Sequence, residues 1–122
     1  MKPPKLSFYQ SFSYAFAGII STIKSETNFK IHAISALLAV AMGLLFQITM
    51  YEWLWISLAI AFVMVAELIN TSIESLANLV SPEYHSLIKK TKDAAAGAVL
   101  IAAIFALICG IIIFIPRLIE AF

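Results

Sequence analysis

The sequence predicts an all-α integral membrane protein, with an N-terminal amphipathic helix at the membrane surface followed by three transmembrane helices. Three observations predict it. Hydrophobic residues make up 62% of the chain and charged residues only 12%, against about 25% charged in an average soluble domain. A chain of 122 residues forms one surface-rich domain, which cannot hide that much apolar area from water. Long uncharged apolar runs recur, and the basic residues gather on one side of the topology those runs define.

The surface helix is expected over about residues 7–24. Pro3 and Pro4 precede it and Ser7 is a suitable N-cap. Phe8, Phe12, Phe16, Ile19, Ile20 and Ile23 fall within about 120° of arc, with Tyr9, Gln10, Ser13, Ser21, Thr22 and Lys24 on the other side. The first transmembrane helix is expected over about 29–48, which carries no charge between Lys30 or His32 and Glu52 and meets the ~20 residues that one crossing needs. The second spans about 51–80, with Trp53 and Trp55 at its start as interfacial aromatics. At ~1.5 Å per residue it is about 45 Å long, longer than a ~30 Å hydrocarbon core, so its far end projects. The third spans about 91–115 and stops before Pro116. Its first turns, Ala94-Ala95-Ala96-Gly97-Ala98, let helix backbones approach closely. All lie in a single membrane-embedded domain, residues 1–122.

Lys2, Lys5, Lys24, Lys30, Lys89, Lys90 and Lys92 fall on one side of this topology and Arg117 alone on the other. The positive-inside rule then puts the N-terminus in the cytoplasm and the C-terminus outside. The start shows no signal-peptide pattern and reads as mature protein. A net charge of +1 offers no basic field for nucleic acid. Cys109, the one cysteine, excludes an intrachain disulfide and reads as a buried free thiol. His32 and His85 fit no metal-ligand spacing and are expected at the interface.

The chemistry sits in a polar cluster inside an apolar segment. Glu67, Asn70, Glu74 and Asn78 fall within about 80° of one helix face. Glu67 lies roughly 21 Å along the helix from Trp53, near the cytoplasmic boundary of the hydrocarbon. Ionisable groups at such depth are costly and mark function by default. Glu26 precedes the first transmembrane helix and Lys92-Asp93 opens the third, where a helix N-terminus favours an anion. Glu26, Glu74 and Asp93 are therefore expected to converge with Lys92 at the cytoplasmic interface, with Glu67 slightly deeper. Mg2+ takes one or two carboxylates plus waters and substrate phosphates, a role open to Glu26 and Glu74. Lys92 suits phosphate, and a partly desolvated Glu67 suits a general base acting on a lipid hydroxyl. These parts fit phosphoryl transfer. No P-loop is present. Spacing alone leaves two other readings open, structural hydrogen-bonding in a bundle or scaffold and a proton or ion path.

The run Glu67-Leu68-Ile69-Asn70-Thr71-Ser72-Ile73-Glu74 resembles the signature of the prokaryotic diacylglycerol kinase family. Glu83-Tyr84-His85, Lys92-Asp93, Ala95-Ala96-Gly97-Ala98-Val99-Leu100, Gly18 and Glu26-Thr27-Asn28-Phe29-Lys30 extend the match over nearly the whole chain. The resemblance implies a homotrimer in a bacterial cell membrane, using MgATP to phosphorylate a lipid alcohol. It implies Glu67 as general base, Glu26 and Glu74 as metal ligands, and Asn70, Lys92 and Asp93 as residues that position nucleotide and phosphate. Asn78 departs from the pattern, which has an aspartate there. It keeps size and loses charge, which puts in doubt contacts to nucleotide or to Lys92. Ser81-Pro82-Glu83-Tyr84-His85 and the Ala-Ala-Gly-Ala-Val run look more like the Gram-positive undecaprenol kinase branch. The implied acceptor is therefore undecaprenol, with diacylglycerol the alternative.

Overall fold

The computed structural model describes residues 7–122, so Lys2, Pro3, Pro4 and Lys5 lie outside the described residues. Four helices follow in order: α1 (Phe8–Ser25), α2 (Thr27–Leu45), α3 (Met50–Val80) and α4 (Ser86–Ala121). The last three are long and apolar enough to cross a membrane. α3 packs most extensively on α4, α2 packs on α3, and α1 touches α2 and α3 only lightly.

α1 opens with a capping box. Ser7 Oγ accepts from the Gln10 N–H at 3.2 Å, and Gln10 Oε1 accepts from the Ser7 N–H at 2.9 Å. Its apolar stripe is not spent on the bundle: Phe8, Phe12, Phe16, Ile19, Ile20 and Ile23 all stay exposed, and Thr22 is its one buried residue. An amphipathic helix in that state has its greasy side free for lipid. The joint to α2 is a single residue. Glu26 is extended (φ −109°, ψ 113°), caps α1 through its N–H to Thr22 O at 2.9 Å, and starts α2 by accepting from the Lys30 N–H at 3.2 Å.

α2 ends at Leu45, three residues before the predicted limit. Its chain reverses through residues 46–49 with Gln47 at φ 50°, a left-handed conformation that stops a helix. A second capping box starts α3, with Thr49 Oγ1 accepting from the Glu52 N–H and Glu52 accepting from the Thr49 N–H. Trp53 is not simply interfacial. It turns inward over Gly43, where an added Cβ would lie 2.6 Å from the indole. Trp55 stays exposed.

α4 departs most from expectation. It starts at Ser86 rather than near Thr91, because His85 caps it by accepting the Leu87 N–H on Nδ1 at 3.0 Å. It also runs through Pro116 to Ala121, although proline lacks the N–H that an interior position uses. Arg117 explains the continuation. Its guanidinium binds both Glu52 oxygens, at 2.5 and 2.6 Å, and Ile113 O at 2.9 Å, tying the last turns to α3. Close approach to α3 uses Ala95 and Ala102, both buried and one heptad apart. A Cβ on Gly97 would meet nothing within 4 Å, so that glycine lies off the packed face. Cys109 is buried and free, as expected.

The packed core, Ile48, Ile56, Ile113 and Phe114 with Trp53 and Phe46 against it, sits at the Arg117 end of the bundle. The opposite end, which holds the α1–α2 joint and the 81–85 loop, carries the polar cluster. Large apolar residues on every membrane helix, Leu37, Leu58 and Ile112 among them, remain exposed.

Candidate active site

The polar stripe of α3 runs from dry to wet. Glu67 is 2% exposed and Asn70 8%, while Asn78 near the loop is exposed. Asn70 Nδ2 donates to Glu74 Oε1 at 3.3 Å one turn on, which orders the stripe lengthwise. Asn70 Oδ1 is buried without a hydrogen-bond partner, and a buried acceptor left unmet is costly.

Glu67 is held by a residue to which the sequence assigned no such role. His32 Nε2 lies 3.2 Å from Glu67 Oε1, reaching it from α2. The sequence did hold a signal. Phe29, His32, Ala36, Ala39 and Gly43 recur at helical spacing along one face of α2, and all five are buried or half-buried. His32 is the polar member of that packed face.

Glu26 and Glu74 lie close enough to Glu67 for their charges to act on it. The one-residue joint thus brings the carboxylate of Glu26 toward those of α3. Asp93 does not join them. α4 begins five residues earlier than expected, so Asp93 loses its helix-terminal place and pairs with Lys89 on its own helix at 2.5 Å. Lys92 instead spans the gap between helices. Its Nζ donates to Asn78 Oδ1 at 2.6 Å, so the contact that the Asn78 departure put in doubt is made by the amide oxygen. A shallow pocket of about 320 Å³ lies beside this pair, walled by Glu83, His85, Lys89, Lys92 and Asp93.

Among the described residues no three His, Cys, Asp or Glu side chains gather into a metal-holding group. Mg2+ does not need such a group, since it commonly takes one or two carboxylates and completes its shell with water and phosphate. The oxygen donors of Glu26 and Glu74, with the unmet Asn70 Oδ1 on the same helix face as Glu74, suit that hard cation.

An apolar groove of about 380 Å³ opens between α2, α3 and α4. Small residues line much of it, including Ala39, Ala59, Ala106 and Gly110, and His32 stands at its polar end. A buried carboxylate, its neighbours of like charge and a lysine near the loop thus share one end of the bundle, and a greasy groove runs from His32 at that end toward Phe114. Such a set suits a reaction between a charged donor and a membrane-dissolved alcohol.

Comparison with known proteins agrees. Residues 13–114 match the family described as prokaryotic diacylglycerol kinase. The chain is 40% identical over 111 residues to an undecaprenol kinase of Bacillus subtilis, covering 91% of this chain and 90% of that one. It is 38% identical to a diacylglycerol kinase of Synechocystis, covering 90% of this chain and 63% of that one. It is 30% identical to a diacylglycerol kinase of Escherichia coli, covering 78% of each. The scaffold and ion-path readings have no counterpart among these relatives. With its three apolar spans and this match over most of its length, the chain belongs to the prokaryotic diacylglycerol kinase family of membrane lipid kinases.

Proposed function

We propose that this protein transfers the γ-phosphoryl group of ATP to the hydroxyl of undecaprenol, giving undecaprenyl phosphate and ADP. The observation that carries the chemistry is Glu67, a carboxylate 2% exposed at the meeting point of the polar stripe and α2. The acceptor is read from the likeness to the Bacillus subtilis undecaprenol kinase. The Synechocystis and Escherichia coli relatives favour diacylglycerol as the second reading.

The lipid alcohol presents its hydroxyl to Glu67, which takes the proton as the oxygen attacks the γ-phosphorus. The new O–P bond forms while the bond from the γ-phosphorus to the β–γ bridging oxygen breaks, and that oxygen leaves with ADP. Burial keeps water, the competing nucleophile, away from the carboxylate. Lys92, a compact point charge, faces the phosphates, and Asn78 aims it through the 2.6 Å hydrogen bond. Asp93 fixes Lys89 beside the loop pocket, where the nucleotide is placed. Asn70 bridges toward Glu74 and orients it. Glu26 and Glu74 would hold Mg2+, which when bound neutralises phosphate charge.

Assembly as a homotrimer is part of the reading. It rests on the family resemblance and on the exposed apolar faces of α2, α3 and α4. So is a cytoplasmic N-terminus in a bacterial cell membrane. Lys24, Lys30, Lys89, Lys90 and Lys92 share one end, while Arg117 at the other is paired with Glu52.

The test is transfer of radiolabelled phosphate from MgATP by purified protein in micelles, with undecaprenol and diacylglycerol offered separately. Preference for undecaprenol, lost in Glu67→Gln, supports the proposal. Preference for diacylglycerol keeps the mechanism and replaces the acceptor. A Glu67→Gln protein as fast as wild type would remove Glu67 from its role as base.

A further inference from the structure

A general base works only if its carboxylate is held still, with one oxygen free for the incoming proton. Glu67 meets half of that condition by burial. Its close contact across helices is His32, whose Nε2 stands 3.2 Å from Oε1. The neighbouring Asn70 Nδ2 donates to Glu74 instead. His32 also belongs to two environments at once. Its side chain is 24% exposed against 3% for that of Glu67, and it lines the polar end of the apolar groove between α2, α3 and α4. It therefore stands where the acceptor's apolar body gives way to its hydroxyl.

We propose that His32 is a positioning residue for Glu67: its Nε2–H holds Oε1, leaving Oε2 to face the acceptor hydroxyl at the mouth of the groove. This rests on the reading of Glu67 as the base. His32 keeps its own proton throughout, and the hydroxyl proton ends on Oε2. The arrangement follows the logic by which a third group fixes the orientation of a catalytic base. Here the histidine supports a carboxylate rather than the reverse. A neutral imidazole with its proton on Nε2 suffices for the bond.

The experiment is a double-mutant cycle on the full chain in micelles with MgATP and lipid alcohol, comparing wild type, His32→Ala, His32→Gln, Glu67→Gln and the His32→Ala, Glu67→Gln double variant. His32→Ala is expected to lower kcat by about 10- to 100-fold, the scale of a misplaced catalytic group. Its KM values for acceptor and ATP should change by less than about threefold, as for an interaction felt in the transition state. His32→Gln should recover much of the loss, because its amide can donate from near the Nε2 position. The double variant should be no slower than Glu67→Gln by more than about twofold, since residues acting as a unit are not additive.

An unchanged kcat in His32→Ala while Glu67→Gln is inactive would overturn the proposal and leave the base assignment standing. So would losses that multiply in the double variant, or a rise in acceptor KM alone, which would make His32 a mere wall of the groove. Glu67→Gln at the wild-type rate would overturn the base assignment and this proposal together. A switch of acceptor to diacylglycerol changes neither the cycle nor its reading. The 15N resonances of the imidazole give a check in the unmutated protein. The proton is expected on Nε2, and a proton on Nδ1 with Nε2 bare would overturn the proposal.

Discussion

At the scale of single residues, the polar cluster is a series of pairs rather than a common pool. Glu67 is held by His32, Asn70 by Glu74, Lys92 by Asn78 and Asp93 by Lys89. Each pair has its own consequence. Removing the proposed base should be the severest change: Glu67→Gln is expected to lower kcat by about 100- to 10,000-fold, the range of general-base contributions, with the fold retained by circular dichroism. The Lys92–Asn78 pair is exposed, so restoring a charge there should matter modestly. Asn78→Asp is expected to raise the transfer rate by up to about fivefold at low salt, the reach of an exposed ion pair, with the gain shrinking as salt is added. Equal rates in the two proteins across that salt range would show that the amide does all that the carboxylate would.

At the scale of elements, two contacts at the far end of the bundle set the geometry that the polar end inherits. Gly43 accepts the Trp53 indole at a distance no side chain tolerates, with ring atoms 2.6 and 2.9 Å from an added Cβ. Gly43→Ala must push the indole or part α2 from α3. It is expected to cost about 1–3 kcal/mol, as overpacking does, read as a lower midpoint of unfolding in detergent. Glu52 serves twice, closing the capping box of α3 and receiving Arg117 from α4. Arg117→Ala leaves that half-buried carboxylate with its cap alone and is expected to cost about 1–3 kcal/mol. The last helical turns beyond Pro116 should then exchange their amide hydrogens sooner. Unaltered exchange there would mean that the turns stand without the Arg117 anchor.

At the scale of the whole molecule, α3 and α4 extend about 46 and 54 Å at ~1.5 Å per residue, well beyond a ~30 Å hydrocarbon core. The loop end of α3 and the first turns of α4 carry Asn78, Lys89, Lys92 and Asp93. Under the proposed function, phosphate-bearing substrate would meet the protein outside the hydrocarbon and the lipid hydroxyl would meet it at the boundary. The proposed orientation has a direct check. Alkaline phosphatase fused after Phe122 is expected to be active, as it is only outside the cytoplasm. A silent fusion with a fluorescent cytoplasmic reporter in its place would invert the topology. The exposed faces of three apolar helices also leave room for neighbouring copies. Cross-linking in lipid is expected to stop at three subunits.

The sequence by itself determined the class of protein and singled out a polar stripe on one helix. Four apolar or amphipathic segments, and a row of polar residues on one face of the second apolar span, follow from composition and helical period, because lipid accepts only helices with such faces. The capping box of Ser7 was legible for the same local reason, and that of Thr49 and Glu52 carried the same four-residue signal. What only the tertiary structure decided are the partners. His32 and Glu67, Gly43 and Trp53, Glu52 and Arg117, and Asn78 and Lys92 all lie on different helices. The rotation and register of one helix against another choose which residues of two faces meet. The same contacts explain the errors at helix ends: Arg117 bound to Glu52 carries α4 past a proline that the sequence reads as a stop, and Asp93 lies inside a helix because His85 caps it earlier. Local pattern specifies each face, and packing between faces specifies the site.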